Sequence, residues 1–77
     1  MNTAIGNVLA RLRLAAGLSQ ELLAYEAGIH RTYVSQLERG LKSPTIAVLF
    51  KIAPALQMTP SQVLRSIEKE FDAIQNS

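Results

Sequence analysis

Residues 19–40 read SQELLAYEAGIHRTYVSQLERG, and the fold follows from how this stretch is parsed. Ser19 precedes a run with helical periodicity, at the position where a side-chain oxygen can cap the first free backbone amides. Glu21 falls in the first turn, where the positive end of the helix dipole favours a carboxylate. Leu23 and Ala27 face inward, and Ala24 is small enough to let a second helix cross closely. Gly28 can take the positive φ of a sharp turn at little cost. A second helix then starts at Arg31, turns Val34 and Leu37 inward, and ends at Gly40. The spacing predicts helices over 20–27 and 31–39, joined by a tight turn.

The flanking sequence is also helical in pattern. No stretch alternates apolar and polar residues for long enough to make a strand, and no internal repeat is visible. A first helix is expected from Thr3, as N-cap, to Ala16. Its inward stripe is Ile5, Leu9, Leu12 and Ala16, and Gly17 stands at the left-handed closing position. Leu41 to Pro44 read as a loop. Thr45 caps a fourth helix expected to bury Ile46, Leu49, Ile52, Ala53 and Leu56, with Pro54 kinking or ending it near Ala53. Thr59, Pro60 and Gln62 form a capping-box signature for a fifth helix over 60–74. In that helix Val63 and Leu64 are expected to complete the core. Ile67, Phe71 and Ile74 then form an apolar face beyond it. The fold class is all-α, a compact five-helix unit forming one domain over 1–77.

Composition narrows the function. A chain of 77 residues buries only about 60% of its unfolded surface, so tight helix packing or oligomerisation has to support it. It has no Cys and one His, which excludes disulfides and thiolate metal sites and leaves His30 without a co-ligand. No metal or cofactor is expected. No apolar run spans a bilayer and no signal peptide is present, so a cytoplasmic protein with no membrane partner is expected. Through Ile52 there are six Lys/Arg against three Glu, a charge of +3; from Ala53 onward two Lys/Arg face three acids, a charge of −1. A basic front half suits a polyanion, and the tail suits a partner. Catalysis needs converging groups in a pocket. With no paired inward carboxylates and no phosphate-binding glycine loop, the chain is not expected to be an enzyme.

The outer face of the 31–39 helix has the residue types that read base edges. Arg pairs with guanine, Gln with adenine, and the Thr methyl meets the thymine methyl. Arg31, Thr32, Ser35 and Gln36 lie on that face, with Tyr33 beside them. Gln20 opens the preceding helix, where a phosphate is favoured. His30, Arg39 and Lys42 flank the reading helix and suit the phosphate backbone.

Residues 16–45, AGLSQELLAYEAGIHRTYVSQLERGLKSPT, resemble the lambda-repressor-like, Xre-type helix-turn-helix family. The marks are Arg13 in RLR, Gly17–Gln20, Leu23–Ala24, Ala27–Ile29, RTYVSQLERG and Ser43–Thr45. The resemblance runs from about Ile5 to Leu64. It implies base-facing roles for Arg31, Thr32, Ser35 and Gln36, and phosphate roles for Gln20, His30 and Arg39. It also implies a largely buried ion pair between Arg13 and Glu38. Val8 and Leu22 depart from the pattern, being apolar where the family carries polar surface, and Leu14 lies outside the inward stripe of the first helix. Among the short members, restriction–modification controller proteins carry RTY in the same helix and dimerise through their C-terminal helices.

The expected function is sequence-specific binding of double-stranded DNA. A homodimer, joined through Ile67, Phe71 and Ile74, would place helix 31–39 in the major groove at each half of a pseudo-palindromic operator. The alternative is an antitoxin that neutralises a toxin and regulates its own promoter, using Val8, Leu14, Leu22 or the last helix for the protein contact. A toxin or RNA polymerase is the protein partner to look for.

Overall fold

The computed structural model describes residues 1–76 as five helices: α1 (Asn2–Ala15), α2 (Gln20–Ala27), α3 (Arg31–Glu38), α4 (Ile46–Ala55) and α5 (Pro60–Gln75). Three of their starts are set by local chemistry. The Ser19, Thr45 and Thr59 side chains accept from the amides of Leu22, Val48 and Gln62. Gln62 returns the bond to the Thr59 amide, completing the capping box. α1 begins earlier than Thr3 predicts. Its N-cap is Met1, which makes no side-chain capping bond, and the start of α1 packs against the corner at Gly40 instead.

Four helix ends share one closure. In each, an amide bonds to the carbonyl five residues back: Leu18 to Arg13, Ile29 to Ala24, Leu41 to Gln36 and Met58 to Ala53. This wrap requires a left-handed residue at the turn. Gly17, Gly28 and Gly40 occupy three of these positions with φ of 74°, 69° and 74°, while Gln57 occupies the fourth at 59°. α4 runs one residue past Pro54 rather than ending near Ala53. The proline sits in the final turn, where it removes the bond an amide there would make to the Phe50 carbonyl.

One core joins α1 to α5, and its membership corrects several expectations. Val8 is fully buried, not a surface residue. α1 packs against both α3 and α5, so it buries a broad band of Ala4, Ile5, Val8 and Leu9, while Ala16 is exposed. Ile46 is 64% exposed because it overhangs the end of the Leu49–Ile52–Ala53–Leu56 row. In α5 the inward pair is Val63 and Ile67. Leu64 is 44% exposed and Ile67 only 5%, so Ile67 belongs to the core and not to the outer face expected for it. Phe71 is half-buried and Ile74 exposed. Leu14 and Leu22 are exposed, as expected. No helix of the described residues is long and apolar enough to cross a membrane.

Candidate nucleic-acid interface

α3 is held from behind by two fully buried side chains, Val34 and Leu37. With those fixed, the rest of its circumference is determined. Arg31 and Thr32 are exposed in the first turn, and Ser35 and Gln36 are half-buried further along. Tyr33 packs on the edge of the core, half-buried. His30 stands at the N-cap with extended backbone and no side-chain capping bond. Arg39 follows as the C-cap residue, and Lys42 lies exposed in the connection to α4. Eight residues of helix span about 12 Å, close to the width of the major groove. Arg31 marks one end of this span and Arg39 the other.

The position of α3 is set by α1. Gly6 is buried in the middle of α1, where a Cβ would lie 2.5 Å from the Glu38 carbonyl oxygen and 2.7 Å from that of Leu37. Only a residue without a side chain permits this approach. The sequence reading overlooked Gly6. An interior helical glycine forfeits about 1 kcal/mol against alanine, and that cost was the available sign of a close crossing.

A buried ion pair fixes the same junction. Arg13 Nε donates to Glu38 Oε2 at 2.6 Å and its Nη2 donates to Oε1 at 3.0 Å. Nη1 reaches the Leu18 carbonyl at 2.8 Å, which ties the α1–α2 connection to the same guanidinium. The two side chains are only 12% and 7% exposed. The hydrogen bond to Glu38 raises the Arg13 pKa; burial works against this, and the charge of Glu38 reinforces it. The pair implied by the family resemblance is therefore present. Its consequence for binding is electrostatic: the only carboxylate on α3 is compensated internally and does not repel a polyanion.

Gln20 joins this cluster. Its Nε2 donates to Glu38 Oε1 at 3.0 Å, which uses one of the two amide hydrogens. The sequence reading gave Gln20 an outward role only. The structure adds an inward one, linking the first residue of α2 to the last residue of α3. No buried side-chain nitrogen or oxygen among the described residues lacks a partner. No group of three His, Asp or Glu side chains among them could hold a metal.

Two helices with a tight turn and a solvent-facing polar second helix make one recognisable unit. The family model described as helix-turn-helix matches residues 9–68. The chain belongs to the helix-turn-helix family. As a member of that family it is a DNA-binding transcription regulator. Its relatives include control protein C.BamHI of Bacillus amyloliquefaciens, 38% identical over 60 residues that span 77% of this chain and 74% of that protein. Control protein C.MunI of a Mycoplasma species is 39% identical over 66 residues, 84% of this chain and 89% of its own length. The crystal structure of the restriction–modification controller protein C.AhdI from Aeromonas hydrophila has a similar fold. It matches with a TM-score of 0.77 at 39% identity, covering 80% of this chain and 94% of that one. This helix-turn-helix chain thus spans most of the length of both control proteins and shares the fold of the restriction–modification controller protein C.AhdI.

Proposed function

We propose that this protein is a homodimeric, sequence-specific regulator that lays α3 in the major groove at each half of a pseudo-palindromic operator. The observation that carries the reading is the polar row Arg31, Thr32, Ser35 and Gln36 on a helix whose opposite side is locked by Val34 and Leu37. These four, with Tyr33 at the edge, read bases. His30, Arg39 and Lys42 meet phosphates on either side, joined by the remaining amide hydrogen of Gln20. A helix anchored this firmly loses little freedom on binding, so its contacts are preorganised for one register.

The dimer reading rests on α5 and its surroundings. Met1, Ile46, Leu64 and Phe71 line one shallow groove on the surface, and Ile74 is exposed further along α5. An apolar surface of this kind on so small a protein marks an interaction site. A two-fold dimer formed there would present two α3 helices to successive major grooves, about 34 Å apart.

Selection of bound DNA from a random pool by the purified protein tests both parts. The expected product is an inverted repeat with half-sites about one helical turn apart. Recovery of unrelated sequences, or of single half-sites at micromolar protein, overturns the proposal.

A further inference from the structure

The groove proposed to hold the second copy is not wholly apolar. Arg65, Glu68 and Asp72 line it together with Leu64 and Phe71. Arg65 and Asp72 are both exposed. Among the described residues the side-chain ion pairs are Arg11–Glu70 and Arg13–Glu38, and neither involves them. They carry opposite charges and sit seven residues apart, two helical turns, on one side of the α5 face; Leu64 and Phe71, also seven apart, occupy the other side.

We infer that Arg65 and Asp72 form a self-complementary charge code by which this chain selects a second copy of itself. The inference rests on the dimer reading above. Consider two α5 helices packed antiparallel about a two-fold axis that passes between Glu68 and Lys69. That axis carries residue 65 onto the level of the partner's residue 72. Arg65 therefore lies against the partner's Asp72, and Asp72 against the partner's Arg65. A two-fold axis across the helices also keeps each side of the face on the same side in both copies. The charged edge of one α5 thus meets the charged edge of the other, and the edge carrying Leu64 and Phe71 meets the same edge of the partner, with Leu64 level with the partner's Ala73 and Phe71 level with the partner's Ser66. At the midpoint Glu68 falls level with the partner's Lys69, and Lys69 with the partner's Glu68, so the centre of this register is also opposite in charge.

The alternative antiparallel registers differ in charge. Sliding one helix by a full turn sets Arg65 away from the partner's Asp72, and the attraction is lost in both copies at once. In an isologous interface every contact is made twice, so one charge on the chain is worth two in the dimer. Related chains that share the apolar groove but carry other charges at 65 and 72 are rejected by the same rule. Like charges brought face to face at an interface discriminate against the wrong partner more effectively than matched charges strengthen the right one.

The test is a charge-reversal exchange, read by analytical ultracentrifugation and DNA mobility shift. Arg65→Glu and Asp72→Arg are both at exposed positions, and circular dichroism checks that each variant keeps its helical content. Each alone is expected to weaken dimerisation by about tenfold or more, because two attractions become two repulsions. Mixing the two single variants is expected to restore a dimer, now a heterodimer in which both pairs are again opposite in sign. The double variant Arg65→Glu/Asp72→Arg is expected to dimerise with itself like the wild type. Two results overturn the inference separately from the reading it rests on. A wild-type protein that stays monomeric at high concentration defeats the dimer itself. A wild-type dimer whose single variants dimerise unchanged, or whose mixture shows no preference for the heterodimer, leaves the dimer standing and defeats the charge code.

Discussion

Gly6→Ala sets two effects against each other at one position. In an unconstrained helix, alanine for glycine stabilises by about 0.8–1 kcal/mol, through reduced backbone entropy in the unfolded chain. Here the new Cβ would meet the Glu38 carbonyl oxygen at 2.5 Å, the Leu37 carbonyl oxygen at 2.7 Å and the Glu38 carbonyl carbon at 2.9 Å. Ordinary contact starts near 3.4 Å, so α1 has to retreat from α3 by about 0.9 Å. The obstacles are backbone atoms in the last turn of a helix, which cannot swing aside as a side-chain tip can. Overpacking costs about 1–3 kcal/mol, and rigid backbone on both sides puts this site at the upper end. The retreat also strains the Arg13–Glu38 bonds of 2.6 and 3.0 Å. Against the helix-propensity gain, the net destabilisation is about 2 kcal/mol. For a domain of this length that lowers Tm by roughly 8–16 °C. Thermal unfolding followed by circular dichroism measures it, at matched protein concentration because dimerisation also shifts Tm. At temperatures well below the new Tm, DNA affinity is expected to fall as well, since the end of α3 that carries Arg39 has moved. A Tm equal to or above that of the wild type refutes the reasoning, because it shows that α1 can shift freely and does not position α3.

Four further outcomes are expected. Glu38→Ala strands the guanidinium of Arg13 in a largely buried site and costs about 3–5 kcal/mol in urea unfolding; a loss below 1 kcal/mol means solvent reaches that charge. Arg31→Ala loses about 1–3 kcal/mol on the selected operator and relaxes choice at one base pair, whereas Lys42→Ala weakens cognate and scrambled DNA alike. Mobility shifts on both DNAs distinguish the two, and equal losses for Arg31→Ala count against base reading. Gln57→Gly relieves a left-handed residue at the end of α4. Since that conformation costs an L-residue about 1–2 kcal/mol and glycine's unfolded entropy returns about half of it, a gain of roughly 0.5–1 kcal/mol is expected. Phe71→Ala is expected to dissociate the dimer at concentrations where the monomer still melts cooperatively; sedimentation and calorimetry together check this, and an unchanged dimer contradicts it.

The features legible in the sequence were those whose cause is local. Ser19, Thr45 and Thr59 were readable as caps because a cap needs only its own hydroxyl and the amide three residues on. Gly17, Gly28 and Gly40 were readable as turn positions because a positive φ is a property of one residue. The polar face of α3 was readable because Val34 and Leu37 settle which side is inward. Errors collected where burial depends on a neighbouring helix. Val8 looked like a surface residue until both α3 and α5 were packed on α1, and Ile46 and Leu64 looked like core until the ends of their rows were found to overhang it. Gln57 escaped notice because its backbone is imposed by the wrap at the end of α4 and not by its residue type.

The stretch 19–40 therefore determined, on its own, that two helices meet at a tight turn with a polar face left outward. Propensity, capping and periodicity act within a few residues, and the chain order contains all of them. Only the tertiary structure decided how that face is held. The approach of α1 at Gly6, the three bonds from Arg13 and Gln20 onto Glu38, and the inward turn of Ile67 all join residues distant in sequence. Such contacts depend on the angle and distance between helices, and those are set by the packing of the whole core, to which every helix contributes at once.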